Sequence, residues 1–274
     1  MEEFIAFFET MATDIPKKMG WVISCLVFTW ILEAIIPLVR HDYNKWKHDG
    51  INMIFFLFTA LINLLIGIMA ISVFVWIENG GFGLLNWISL PLWAELAIAV
   101  LALDLFAQYG IHFFLHRIKW MWKMHMVHHS DTKVDATTGT RHHPGDYFLR
   151  ELVGLGTVLI FGIPVAFWAF YRIVTIFFTY MTHANIRLPY WMDKTLSFIF
   201  ITPNIHKFHH HFERPWTDTN FGNVFSIWDR LFGTLVYDDP KKVKFGLDVL
   251  EDEKDEDVMY QLKLPFNDTV QTDY

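Results

Sequence analysis

The sequence predicts an all-α integral membrane protein with about three spanning helices, a short helical hairpin dipping into the membrane, and a histidine-rich cap on the cytoplasmic side. Three observations carry that prediction. Hydrophobic residues make up 53% of the 274-residue chain and charged residues only 19%, a more apolar balance than that of an average soluble domain. Three stretches are long and apolar enough to cross a bilayer. Of the 14 histidines, 12 fall between His112 and His211.

A span needs about 20 mainly apolar residues. Residues 20–39, 51–77 and 90–115 qualify, the last interrupted by Glu95 and Asp104. Loop 40–50 holds Arg40, Lys45 and Lys47, loop 78–89 holds no Lys or Arg, and loop 117–150 holds six. Basic loops stay on the cytoplasmic side. The N-terminus is therefore expected outside, and span three is expected to end on the cytoplasmic side, where the histidines begin.

A fourth apolar region, 152–181, contains Gly154, Gly156, Gly162, Pro164 and Arg172. One crossing there would separate His183 and 206–211 from the earlier histidines by a bilayer. A hairpin bent at Gly162-Ile163-Pro164 keeps them together, and a single tilted span is the alternative. Each hairpin arm would be about 22 Å long, short of the ~30 Å hydrocarbon core. Arg172 is expected to face protein, because a charge at mid-membrane is expensive.

At the N-terminus, Glu2, Glu3, Glu9 and Asp14 precede the lysines, unlike the basic start of a signal peptide. The spacing of Phe4, Ile5, Phe7, Phe8 and Met11 predicts a short interfacial helix. Residues 202–239 read as a polar cytoplasmic cap, and the acidic run 251–257 as a solvated tail. The resulting division is 1–99 for the N-terminal membrane helices, 100–237 for the histidine-bearing domain, and 238–274 for a polar acidic tail. The net charge of −7 argues against nucleic-acid binding. The single cysteine, Cys25, excludes an internal disulfide framework and a Cys-based zinc site.

Three motifs carry the chemistry: His112-x3-His116, His125-x2-His128-His129 and His206-x2-His209-His210. On a helix, residues three and four apart share a face, so each motif aims two or three imidazoles at one spot. Eight imidazoles exceed the four that one zinc takes and imply two metal ions. Imidazole suits iron, zinc, copper and nickel alike. The sequence has no H-E-x-x-H, and no Glu-x-x-His pairs of the carboxylate-bridged bundle type. His41 and His48, in the first basic loop, are expected at the surface. His142 and His211 each neighbour a stronger candidate. Asp104, Asp146, Glu151, Asp218 and Asp229 lie near the motifs and are candidates to orient ligating rings.

Residues 104–146, in particular Asp104, His112, His116, His125, His128, His129, Ser130 and Arg141-His142-His143-Pro144, resemble the fatty acid hydroxylase superfamily, also called the sterol desaturase family. Thr182-His183-Ala184-Asn185-Ile186-Arg187, Thr202-Pro203-Asn204-Ile205-His206-Lys207-Phe208-His209-His210, Asn220-Phe221-Gly222 and Trp228-Asp229-Arg230-Leu231-Phe232-Gly233-Thr234 extend the likeness to about residues 100–237. The Arg-x-His-Pro element is of the bacterial type. The extra His142 and His211 depart from the usual pattern, as does Asp146 where many relatives have Glu.

The resemblance implies two iron ions held by His112, His116, His125, His128, His129, His206, His209 and His210, with His183 as a ninth ligand and His143 as a possible tenth. It implies O2 as co-substrate and hydroxylation of a lipid, a fatty acyl chain or a sterol-like molecule, with desaturation as the alternative outcome. Asp104, Asp146, Asp218 and Asp229 remain the candidates for positioning ligands. No G-x-G-x-x-G unit, iron–sulfur cysteine set or fused haem domain is present. The electrons are therefore expected from a separate ferredoxin- or cytochrome-type donor with its reductase. The expected location is a bacterial inner membrane, or the endoplasmic reticulum in a eukaryote. A transporter with mid-span ligands and a non-catalytic metal-binding relative are the competing classes.

Overall fold

The computed structural model describes residues 2–40, 42–251 and 254–272; His41 lies outside them. The architecture is helical. Among the described residues, extended pairing is limited to two isolated bridges, Pro37 with Ile186 and Phe200 with Phe225.

Four segments are long and apolar enough to cross a membrane: Ile15–Ile35, Lys45–Trp87, Leu92–Arg117 and Val165–His183. Helix α1, Glu2–Thr13, precedes them. Its Phe4 and Phe8 pack on Phe170 at 5.5 and 5.2 Å. Asp14 caps α2, Ile15–Ile35, by accepting from the Lys17 amide, which satisfies a donor the helix cannot use internally. Asn44 caps α3, Lys45–Gly80, in the same way, and Gly81 closes it in the left-handed conformation.

The third span is one continuous path. Helix α4, Leu92–Asp104, passes through a π-helical turn, Leu105–Gly110, into α5, Ile111–Arg117. Such turns shift the register of everything downstream and gather at functional sites; here the residues downstream include His112 and His116. Helix α6, Lys119–His129, folds back beside α5.

The predicted hairpin is present as α7, Pro144–Phe161, and α8, Val165–His183. Gly162 ends α7 with φ +67°. The arms are longer than the 22 Å expected. Their 18 and 19 residues give about 27 and 28 Å at 1.5 Å per residue. The added length comes from the start of α7, where Pro144 in the first turn and His143 as cap begin the helix ahead of the apolar run. The hairpin tip meets the loop between α3 and α4. A Cβ on Gly83 would lie 2.2 Å from the Gly162 Cα. The base of the hairpin returns both arms to the histidine end of the bundle.

Between these helices lies a core of Ala70, Phe74, Leu103, Leu155, Val158, Phe167 and Tyr171. Outside, Ile23, Leu57, Leu61, Leu64 and Ile68 are exposed, the surface a bilayer covers. Arg172 faces inward as expected. It pairs with Glu151 and donates to Asn63 Oδ1 at 2.6 Å.

The rest of the cap is built from α9, Tyr190–Leu196, α10, Pro203–His209, and α11, Ile227–Leu231, followed by α12, Val258–Lys263. Two expectations change here. The acidic run is only partly solvated: Asp255 is buried, it accepts from Thr132, and its carbonyl takes the Arg141 guanidinium. Leu247, Leu264 and Val270 pack with Ile51, Phe55, Trp122 and Met126. The basic residues Lys47, Lys133 and Arg141 supply the opposite charge that draws this segment in. Residues 202–239 are also not uniformly a polar cap, because Trp228 reaches down to bond Asp104, the last residue of α4.

The hairpin tip gives a direct test. Gly83→Ala puts a methyl into the Gly162 backbone and is expected to destabilise the protein by about 2 kcal/mol. Gly20→Ala, on an open face of α2, is expected to cost nothing. Thermal unfolding of both variants in detergent reads the difference.

Candidate metal centre

Three short helices and the end of α8 bring nine histidines into one volume. On α5, His112 and His116 are one turn apart; on α6, His125, His128 and His129 share a face. Thr202 caps α10 by accepting from Ile205, and Pro203 starts it, fixing the helix that carries His206 and His209 with His210 at its end. His183 is the last residue of α8.

The nine separate into two groups. His112, His116, His125, His129 and His209 form one, and His128, His183, His206 and His210 form the other; within each group, the nitrogens lie within 4.8 Å of one another. Nε2 atoms approach at 3.1 Å between His112 and His125, 3.2 Å between His129 and His125, 3.1 Å between His183 and His128, and 3.0 Å between His206 and His183. Two imidazole nitrogens bound at about 2.1 Å to one ion and at right angles sit about 3.0 Å apart. The spacing therefore matches edges of a coordination shell.

The polar groups around the rings fit the same reading. Nδ1 is oriented by an oxygen in six cases. His112 faces the Phe221 carbonyl at 2.8 Å, His125 faces Asp146 at 3.1 Å, and His128 faces the Arg141 carbonyl at 3.2 Å. His183 faces the Thr179 carbonyl at 2.7 Å, His209 the Thr219 carbonyl at 2.7 Å, and His116 lies 3.4 Å from Asp218. A proton held at Nδ1 leaves Nε2 free as a ligand. Nε2 of His116 and of His209, and both nitrogens of His210, are buried with no hydrogen-bond partner. Buried orphans cost about 1–3 kcal/mol each, and a cation at each group answers those of His116 and His209 and one of the two on His210.

Burial keeps these rings neutral. Desolvation first, then the neighbouring imidazoles, hold His128, His129, His206, His209 and His210 well below the usual histidine range. Burial lowers His125 to about 3 in spite of Asp146. Neutral imidazole is the form a metal requires.

The structure does not bring His143 to the nine. Its Nδ1 accepts from the Gly145 amide and its Nε2 meets the Leu262 carbonyl, so its two nitrogens serve the start of α7 and the C-terminal segment. His142 lies inside instead, stacked on His128 at 4.6 Å and bonded to Asp146 at 2.9 Å. His211 remains at the edge, capping Glu213. Of the five carboxylates expected to orient rings, Asp146 and Asp218 face histidines. Asp229 accepts from the Phe221 and Gly222 amides and so holds the loop whose carbonyl meets His112. Asp104 touches no histidine; it bonds Tyr171 and Trp228. Glu151 pairs with Arg172.

His48, expected at the surface, is buried, with Nε2 at 2.9 Å from Asp131, two residues past His129. Lys45 joins Asp135 at 2.7 Å in the same network. Burial alone would raise Asp131, but His48 and Arg141 outweigh it and hold the carboxyl well below its usual range. Sequence spacing could not find this pairing, because its halves lie 83 residues apart.

Glu33 was also missed. From α2 it accepts two backbone amides at 2.8 Å, from Ala136 and Asn185. Lys207 holds the neighbouring Ala184 carbonyl at 2.7 Å. The available signal was an ionisable residue inside a predicted span, which seldom lacks a purpose.

These roles separate in a metal titration. Asp146→Ala is expected to weaken metal binding about 10- to 100-fold by freeing the His125 ring, whereas Asp104→Asn leaves it unchanged. Competition with a chromophoric chelator measures both.

A family model of fatty acid hydroxylases matches residues 96–234, just over half of the chain. The chain is 29% identical over 130 residues to ornithine lipid hydroxylase OlsE of Rhizobium tropici, covering 47% of this chain and 38% of that protein. It is 28% identical over 240 residues to alkylglycerol monooxygenase of Homo sapiens, covering 85% and 49%. It is 30% identical over 194 residues to a cholesterol 25-hydroxylase-like protein of Caenorhabditis briggsae, covering 68% and 63%. The chain spans about half or less of the length of the first of these curated relatives. No solved structure matches it. The matched span contains all nine clustered histidines together with the loops that orient them, and the chain is a member of the fatty acid hydroxylase family.

Proposed function

We propose that the protein is a membrane-bound, O2-dependent lipid hydroxylase. In this reading, His112, His116, His125, His129 and His209 hold one iron, and His128, His183, His206 and His210 hold a second. The observation that carries it is the division of nine buried imidazoles into two converging groups. The names of the relatives support a lipid as substrate.

The chemistry such a pair supplies when bound is reductive activation of O2. The overall change consumes one O2, two electrons and two protons, inserts one oxygen atom into a C–H bond, and releases the other as water. The electrons come from a separate ferredoxin- or cytochrome-type donor with its reductase. The charge of the basic loops supports a cytoplasmic side for the metal end, in a bacterial inner membrane or in the endoplasmic reticulum.

The chain's own residues do the positioning. A cavity of about 210 Å³ runs from His112, His128, His183 and His206 between α3, α4, α7 and α8 to Arg172. It points from the rings into the apolar bundle, the direction a lipid chain takes. At its upper end, Asn223 donates to Gln108 at 3.3 Å and to Thr179 at 3.2 Å. This bridge fixes the wall beside His183. A C–H bond must be held to within about an ångström for the reaction to proceed, and the same control separates an alcohol from an alkene.

Wild type and His128→Ala, expressed with redox partners, test the reading. Wild type is expected to carry two irons per chain and to yield lipids heavier by one oxygen in mass spectra; His128→Ala is expected to yield none. Products lighter by two hydrogens would make the protein a desaturase. Iron-loaded wild type that leaves native lipids unchanged would overturn the enzyme reading.

A further inference from the structure

Residues following α9 do not stay with the polar cap. Leu196–Phe200 and Val224–Leu231 are paired through the Phe200–Phe225 bridge and docked on the third span. Trp228 donates to Asp104 at 2.8 Å, and the Phe225 amide lies 3.4 Å from the same carboxylate. Phe232 stacks on Tyr109 at 5.2 Å, and Phe200 packs on Phe178 of α8 at 5.3 Å. Asp104 is 13 residues before Arg117, the end of the span. At 1.5 Å per residue it lies about 20 Å from that end. The span itself measures about 39 Å, some 9 Å more than a hydrocarbon core of ~30 Å. Even if all the excess projects on the histidine side, Asp104 lies about 10 Å inside the hydrocarbon.

The outer face of this element is apolar. Phe198, Ile199, Leu231 and Phe232 are each more than half exposed. Groups of that kind are rarely left to water in one patch. The backbone is suited to lipid contact, because its polar groups are paired internally. Phe200 donates to Leu196, Ile201 to Val224, Ser226 to Ile199, and Arg230 to Ser226. Unpaired groups at that depth would each cost several kcal/mol. Arg230 lies with its guanidinium over the Phe198 ring and donates to the Ser197 carbonyl. A long cationic side chain of this kind keeps its stem in lipid and its head toward the interface.

We propose that residues 196–201 and 224–232 form a shallow re-entrant element seated among the acyl chains of the leaflet on the metal-centre side. It is held by Asp104, which explains why a buried carboxylate near the histidines bonds none of them. Asn223, which borders the element, bridges Gln108 and Thr179 in the cavity wall. That wall therefore backs onto lipid rather than water.

Nitroxide labels read the placement without any turnover or metal. The only cysteine, Cys25, is buried. Phe198→Cys and Leu231→Cys are labelled, with Leu61→Cys on α3 as the lipid-facing reference and Lys241→Cys as the aqueous reference. The proteins are reconstituted into phosphatidylcholine vesicles. Collision rates with O2 and with a water-soluble nickel chelate are compared by power saturation. Both test labels are expected to show an oxygen-to-nickel ratio closer to that at Leu61 than to that at Lys241. A ratio closer to Lys241 at either site overturns the proposal. Two positions on separate segments of the element guard against a local effect of one label.

Discussion

Everything near the centre depends on holding nine uncharged imidazoles against one another in a space closed to water. A protonated histidine there would lack solvent and would repel a second protonated ring. The fold meets this constraint with oxygen acceptors behind the rings. Carbonyls of Phe221, Arg141, Thr179 and Thr219 and the carboxylates of Asp146 and Asp218 each face an Nδ1. Four of these six acceptors are main-chain atoms. The loops are thus part of the centre, and their conformation matters as much as the identity of the histidines.

Those loops are tied in turn to membrane helices outside the family-matched residues. Glu33 of α2 holds Ala136, in the loop after α6, and Asn185, two residues past His183, with a single carboxylate oxygen. His48 of α3 holds Asp131, and Asn52 meets both Thr137 and Arg141. The first two spans act as a frame for the centre as well as anchors in the bilayer. This explains why ionisable groups are retained inside segments that otherwise read as plain hydrophobic spans. Arg172 with Glu151, and Asp104 with Tyr171 and Trp228, follow the same rule deeper in the bundle.

Much of this was legible in the chain. Histidine spacing at three and four residues selects one face of a helix, so the clusters on α5, α6 and α10 followed from local geometry. The hairpin followed from a parity argument, since His183 and His128 had to share a side, and the two rings meet at 3.1 Å between Nε2 atoms. The bend at Gly162-Pro164 was visible in residue type. The length of the arms was not, because it depends on where capping starts α7, ahead of the apolar stretch. His142 and His143 are adjacent and chemically identical, and nothing local says which faces inward. The start of α7 decides it: His143 becomes the cap, and His142 is turned onto His128.

The sequence by itself determined that the chain is helical, that it crosses a membrane, and that its histidines converge at one end. These properties depend on local periodicity and on transfer of apolar segments out of water, which each segment expresses alone. Tertiary structure decided how the nine divide into five and four, which carboxylates face them, and that Trp228 meets Asp104 on the third span. Each of those results depends on groups tens of residues apart meeting within about 3 Å. Such meetings are set by the packing of whole helices, which no single stretch of sequence encodes.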